Sequence, residues 1–393
     1  MHEEGGIKTV NRVMLVSAAR TPLGAFCGRL ESLPEQQLGA AAMGETVRRA
    51  GIDPALIDEV IAGIAKQTSR PSNGGRHAML LARLPEKIPA YTVQRQSASG
   101  LQAVANGYWA IRCGDAEVIL AGGMESMSQI PFEIRNARYD FTGKNRQISD
   151  AIPDQETGAQ PEERYGKLTT AQAAENVVCK YRFSEGELEA FAGGSLQKAL
   201  TAEGKGLFRA EVFPVVVKRG KNEESIDRDE LQKKVPLLAP PGDGAAMCLL
   251  ASREKAAALG LPALVEIISV GIAAADPRCA GAAAAEAGLK ALRQAGLPLR
   301  EVDVIELNEM SAAECLAIIR EWQIRGGVGL DALAERVNPS GGALSMGNPW
   351  GAAGAVLLTK VVYEIRRRSG RFGMVVVNAE GGQGMAMVVR NDS

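Results

Sequence analysis

The chain has 393 residues, 46% of them hydrophobic and 4% aromatic, with a formal net charge of −1. That length implies two or three sub-domains with sizeable cores, and the near-zero charge gives no argument for nucleic acid or an anionic membrane as partner. No apolar run approaches the ~18 residues that span a bilayer, and the opening "MHEEGGIKTV" is acidic where a secretion signal is basic and then apolar, so a cytoplasmic protein is expected.

In chain order, "NRVMLVSAA" is a predicted strand that ends in the turn "RTPLG", and "EQQLGAAAMGETVRRAG" carries helical periodicity. "IDEVIAGIA" leads into another short apolar run. In "VQRQSASGLQAV" a small-residue turn, Ser97-Ala98-Ser99-Gly100, runs into a helix. Chains present nucleophiles, or bind anions, at helix starts of this kind, although a serine there is most often a simple cap. "LQAVANGYWAIRCGD" is helical, and "EVILAGG" is a buried strand closing on two glycines. Strands alternating with helices predict a layered α/β unit.

A segment of different character follows, roughly residues 126–262. It contains the turn-rich "RNARYDFTGKNRQISDAIPDQETGAQPEERYGK", two helices of which the second starts at Ser184-Glu185, and the charge run "KRGKNEESIDRDELQKK", read as a solvated surface. Its place between the flanking units suits an insertion that carries a lid or ligand-binding loop. The last third then repeats the first: strand "ALVEIISVGIAA", helix "AAEAGLKALRQAG", strand "VDVIELNE", turn and helix "NPWGAAGAVLLTKVVYEIRRRSG", and two strands around the glycine turn of "FGMVVVNAEGGQGMAMVV". The layout implies an internal duplication: an N-terminal half over 1–125, the insertion and return over 126–262, and a C-terminal half over 263–393.

Six cysteines, at 27, 113, 179, 248, 279 and 315, include no Cys-x-x-Cys pair and are read as buried thiols. The two histidines are His2, in the N-terminal tail, and His77, in an apolar helical context that suggests a structural role. A nucleophilic Ser97 would thus lack its usual base.

Seven segments in order, "ARTPLGAFCGRL", "SASGLQAVANGYWAIRCGDAEVILAGGMESMS", "AAENV", "DGAA", "IELNEMSAA", "NPSGGALSMGNPWGAAGA" and "GGQGMAM", resemble the thiolases, the acyl-CoA C-acyltransferases, over about residues 10–390. The resemblance implies a duplicated αβαβα core of five layers with an inserted loop domain. It also implies at least a dimer and coenzyme A thioesters as substrates, with no separate cofactor and no metal. In that family a cysteine nucleophile sits at a helix N-terminus, where the dipole favours a thiolate. A Gly-His-Pro histidine and a second cysteine handle protons, and an Asn-Glu motif positions a water.

Carried over residue by residue, the resemblance places the nucleophilic cysteine at Ser97, the histidine at Asn348 and the second cysteine at Asn378. A glycine of the oxyanion hole falls on Glu380. Asn308 and Glu309 stand as the family has them, and a histidine near the "AEN" segment falls on Thr169. A serine hydroxyl needs an adjacent base, and Asn348 and Asn378 cannot exchange protons. An ionised Glu380 in an oxyanion hole would repel developing negative charge unless it turns away, stays protonated or becomes a new base. The coenzyme A signal is altered too: "VPLLAPPGDGAAM" keeps Asp243-Gly244-Ala245 but has Ala239 where a serine is usual, while Lys218, Arg219 and Lys221 offer charge to a phosphate. Two functions follow. One is a structural or regulatory subunit without thiolase activity, as a homodimer or a heteromer with an active relative. The other is an enzyme of altered chemistry acting on acyl-CoA through Ser97 or Glu380.

Overall fold

The computed structural model describes residues 10–135, 137–138, 147–234 and 236–392. In chain order its strands are β1 (Val13–Arg20), β2 (Gly24–Ala25), β3 (Glu59–Gly63), β4 (Ala90–Val93), β5 (Val118–Ser126), β6 (Phe132–Ile134), β7 (Ile148–Asp150), β8 (Val215–Arg219), β9 (Asn222–Ile226), β10 (Gly242–Ser252), β11 (Val265–Ala274), β12 (Val304–Leu307), β13 (Phe372–Ala379) and β14 (Gln383–Arg390). The runs that read as continuously apolar form strands buried on both faces: every residue of β1, β5, β10 and β13 is buried. Such runs belong between helical layers.

The large sheet has the order β12-β13-β14-β11-β1-β10-β5-β3-β4, with β2 beside β10. It divides into two halves of like topology. In the first, the order β4-β3-β5-β10-β1 mixes parallel pairing of β3 with β4 and β5 and antiparallel pairing of β10 with β5 and β1. In the second, β12-β13-β14-β11 follows the same scheme, and the bridge Ile305–Val337 takes the place of the fifth strand. The halves meet where Val13–Leu15 pairs with Val265–Ile267.

Five layers result. Helices Ser99–Cys113 and Trp350–Arg367 pack against each other between the two halves of the sheet, and Leu101, Val104, Leu358 and Val361 share one core with Ile61, Ile119, Val375 and Met387. Helices Glu35–Ala50 and Gly74–Leu81 cover the outer face of the first half, and helices Ala280–Ala295 and Ala312–Gly326 that of the second. Small residues let the two central helices approach. A Cβ on Gly100 would lie 2.8 Å from the Gly351 carbonyl oxygen, closer than such contacts allow.

The insertion supplies helices Thr170–Tyr181 and Glu185–Gly204, each opened by a full capping box, at Thr169 with Gln172 and at Ser184 with Glu187. Three expectations change. Cys27, Cys113 and Cys179 are exposed, and only Cys248 and Cys315 are buried; helix ends and turns leave small thiols at the surface. His77 is exposed on its short helix, whose buried residues are Gly74, Gly75, Ala78 and Met79. "PPGDGAAM", read as a ligand loop, opens directly into the central strand β10. His2 lies outside the described residues. No helix among the described residues is long and apolar enough to cross a membrane.

Candidate active site

Ser97 lies just before the central helix that starts at Ser99, with Ala98 as its cap residue, and is fully buried. The turn is set locally. Gln96 takes a left-handed backbone (φ 48°), uncommon for a non-glycine residue. The Ser99 hydroxyl holds it closed, donating to the Gln96 carbonyl at 2.6 Å and accepting from the Arg95 N–H at 2.8 Å.

Ser97 meets one acidic side chain, Glu380. Its hydroxyl donates to the Glu380 carboxylate, with oxygens at 3.2 and 3.3 Å, and its N–H points at the same group at 3.4 Å. These are long, loose contacts. Glu380 follows β13 in a hairpin whose next residues, Gly381 and Gly382, have φ of 78° and 72°, a geometry that favours glycine. Burial pushes the Glu380 carboxyl above the usual carboxylate range, opposed by its hydrogen bonds, and the neighbouring Glu156 raises it further.

A second carboxylate stands behind the first. Asn378, fully buried in β13, donates from Nδ2 to Glu314 at 3.2 Å, and its backbone carbonyl accepts a long contact from Asn308 Nδ2 at 3.5 Å. Burial lifts Glu314 from an ordinary 4.5 to about 7, the charge of Glu380 adding to the shift. Glu314 went unnoticed in the sequence because "SAAE" is a cap signature. Ser311 does cap the Glu314 N–H at 3.1 Å, but the carboxylate turns inward to Asn378.

Glu309 is held from three sides, by Ser195 Oγ at 2.8 Å, Asn338 Nδ2 at 2.6 Å and the Leu344 N–H at 3.1 Å. Side chains as well as a backbone amide therefore satisfy it. Asn348 precedes the other central helix. Its N–H donates to the Pro240 carbonyl at 2.8 Å, its carbonyl accepts from Gly242 N–H at 3.1 Å, and its Oδ1 has no partner among the described residues. Glu125, buried in "GGMESMS", accepts from the Gly351 and Ala65 N–H groups at 2.9 and 2.7 Å and pins the first turn of that helix. Burial pushes its carboxyl up to about 8.

A narrow cleft of about 20 Å³, room for little more than one water, opens beside this cluster, lined by Glu156, Gln160, Thr169, Met310, Glu314 and Glu380 among others. Of the residues considered for coenzyme A, Lys218, Ala239 and Gly244 do not line it. Lys218 is exposed on β8 and faces Glu223 at 3.6 Å, and the side chain of Arg219 lies outside the described set. The Ala239 N–H donates to the Met310 carbonyl at 2.9 Å, and Gly244 sits within β10, where a Cβ would reach Leu23 at 2.7 Å. Among the described residues no cluster of acidic, histidine or cysteine side chains could hold a metal ion.

Glu314 makes the site pH-sensitive. Its raised carboxyl keeps a proton in the folded chain that the unfolded chain releases, so its contribution to stability is lost as pH rises from about 4.5 towards about 7. Glu314→Gln removes that loss, and the variant should gain up to about 3 kcal/mol relative to the parent at pH 8 compared with pH 4.5. Melting temperatures across this range measure it. Parallel curves for the two proteins would contradict the buried, proton-holding carboxyl.

Residues 13–237 match the family model "Thiolase, N-terminal domain" and residues 261–391 match "Thiolase, C-terminal domain". The chain is 37% identical to an acetyl-CoA acetyltransferase of Pseudomonas aeruginosa, covering 97% of this chain and 99% of that protein. It is 34% identical to one of Syntrophomonas wolfei, covering 96% and 98%. Among solved structures it is similar to the Bacillus anthracis acetyl-CoA acetyltransferase, with a TM-score of 0.91 at 28% identity over 97% of this chain and 99% of that one. The human mitochondrial 3-ketoacyl-CoA thiolase gives 0.88 at 28% identity, over 98% and 100%.

Proposed function

The chain belongs to the thiolase family, and from that premise we propose that it has lost ordinary thiolase catalysis and serves as a structural or regulatory subunit. One observation carries this reading: the Glu380 carboxylate lies against both the hydroxyl and the N–H of Ser97. An ionised Glu380 would present a negative group, instead of a donor, to an oxyanion developing beside that N–H. Asn348 and Asn378, at the positions the resemblance gives to proton-handling groups, supply amides that neither take nor release a proton. The test is acetoacetyl-CoA thiolysis by chain purified free of host thiolase, and turnover above the blank overturns the proposal.

The subunit role needs a partner. Strand β4, "AYTV", ends the sheet and pairs on one side with β3, and an open edge strand is a template for another chain. A second copy, or a catalytically complete relative, is expected to add its own strand there, with an interface well over ~2,000 Å² as in obligate dimers. Light scattering should detect no folded monomer at micromolar concentration in the cytoplasmic buffer range. A stable monomer removes the scaffold role.

A second reading rests on the hydrogen bond from Ser97 Oγ to Glu380 at 3.2 Å. In it the Ser97 oxygen attacks the carbonyl carbon of a bound acyl-CoA, its proton passes to Glu380, and the carbon–sulfur bond breaks to release coenzyme A as thiolate. Intact-mass analysis after incubation with acetyl-CoA decides it: an acetyl increment present in the parent and missing in Ser97→Ala favours the enzyme over the subunit.

A further inference from the structure

A larger cavity, of about 280 Å³, lies between the inserted helix Glu185–Gly204 and helix Ala312–Gly326. None of Ser97, Asn348, Asn378 and Glu380 lines it. Its size is close to the lower end of small-molecule sites, about 300 Å³. The walls are mostly apolar, with Phe191 from the inserted helix, Leu316 and Ile319 from the second, and Val337 just beyond the short helix Leu330–Ala334. Gly194 keeps the space open, since a Cβ there would meet nothing within 4 Å. A glycine inside a helix is destabilising relative to alanine, and no close contact requires this one.

Four polar side chains also reach the cavity, Ser195, Lys198, Glu309 and Asn338. Three of them serve one another. Ser195 Oγ and Asn338 Nδ2 donate to Glu309 at 2.8 and 2.6 Å, and the Leu344 N–H completes that carboxylate's partners at 3.1 Å. Lys198 is the exception, and it is the one cation lining the cavity among the described residues. Its ammonium donates to the carbonyls of Ala334 and Val337 at 2.9 and 3.0 Å. An ammonium has three donors, so one N–H is left without a protein partner among the described residues. Glu306, the other acid that acts on Lys198, faces Lys360 at 3.1 Å. Burial pulls the Lys198 ammonium below its ordinary value, a penalty that a bound anion would relieve. Ala190 and Lys198 both line the cavity, and at ~1.5 Å per residue they stand about 12 Å apart along the helix axis.

We propose that this cavity binds a medium-chain aliphatic monocarboxylate, its carboxylate on the spare N–H of Lys198 and its alkyl chain running past Gly194 towards Phe191. The unpaired positive charge selects the head group, and the apolar walls select the tail. Each methylene taken out of water strengthens binding, so a chain that fills the groove is held and a two-carbon acid is not. The ligand is the free acid, because an acyl thioester carries no charge at its carbonyl. The site is separate from the cluster at Ser97, and binding there does not depend on whether that cluster is active.

The test is calorimetric titration of the full chain at pH 7 with octanoate, octan-1-ol, octylammonium, acetate and octanoyl-CoA. Octanoate should bind at least tenfold more tightly than octan-1-ol or octylammonium, and acetate should not bind detectably. Lys198→Met keeps the apolar stem and should weaken octanoate at least tenfold while leaving octan-1-ol unchanged. Gly194→Leu fills the cavity and raises helix propensity, so it should melt no lower than the parent yet lose octanoate binding. That variant decides the matter even where Lys198→Met fails to fold. Octanoate binding no tighter than octan-1-ol, or binding that survives Gly194→Leu, overturns the proposal. Displacement of octanoate by octanoyl-CoA assigns the cavity to a thioester chain and overturns the free acid as ligand.

Discussion

Acetoacetyl-CoA thiolysis is expected to be undetectable in this chain, and Ser97→Cys alone is not expected to restore it. Thiolysis of a 3-ketoacyl thioester needs a nucleophile that is ionised or paired with a base, a group that moves the proton at the α-carbon, and donors for two oxyanions. Ser97 supplies a hydroxyl, ionised only at pH values far above neutrality. Asn378 hydrogen-bonds Glu314 instead of shuttling a proton. Asn348 is pinned through its backbone by Pro240 and Gly242. Each lost acid or base typically costs about 10²–10⁴ in rate, and members of one constellation fail together. A cysteine at position 97 would meet the carboxylate of Glu380, and a neighbouring negative charge raises a thiol's pKa when catalysis needs it lowered. The combined variant Ser97→Cys, Asn348→His, Asn378→Cys, Glu380→Gly is the one expected to gain activity. Clear turnover by the parent or by Ser97→Cys would mean that Glu380 or Glu314 has taken over as base.

The largest effect on stability is expected from Arg20→Met. Arg20, fully buried at the end of β1, donates to Glu211 at 2.7 and 2.9 Å and to both oxygens of Asp229 at 2.7 and 2.8 Å, and it stacks on Phe208 at 5.3 Å. Asp229 also accepts from the Leu23 N–H at 2.8 Å. This cluster ties the inserted segment to the N-terminal half. The paired carboxylates hold the guanidinium charged despite its burial. Methionine keeps much of the volume but leaves two buried carboxylates without their cation, which costs about 3–5 kcal/mol. Urea unfolding monitored by circular dichroism measures it. A loss below about 1 kcal/mol would show that water reaches the cluster and screens it.

Strands β1, β5, β11 and β13 and helices Glu35–Ala50, Ser99–Cys113 and Trp350–Arg367 were legible in the sequence. Their signals are local: apolar runs bounded by turns, periodicity of 3.6, and glycines where helices end, as at Gly51 and Gly114. The turn before Ser99 was legible for the same reason. The central strand β10 was missed altogether: "PPGDG" at its start reads as a loop, and its antiparallel partners β5 and β1 make it a strand. The exposed His77 was misread because an apolar neighbourhood in sequence does not say which face of an eight-residue helix is covered.

At the site, sequence alone determined which side chains stand at Ser97, Asn348, Asn378 and Glu380, and hence which protons cannot move. Tertiary structure decided how those groups meet. Ser97 and Glu380 lie 283 positions apart, and Asn378 and Glu314 lie 64 apart. No periodicity or spacing encodes such pairs, because they form when the two halves of the sheet bring the β13 hairpin over the N-termini of helices Ser99–Cys113 and Ala312–Gly326. Burial then changes what the carboxylates are. Glu314 in water is a charged residue at a helix start, but in this core desolvation lets it keep its proton to about pH 7.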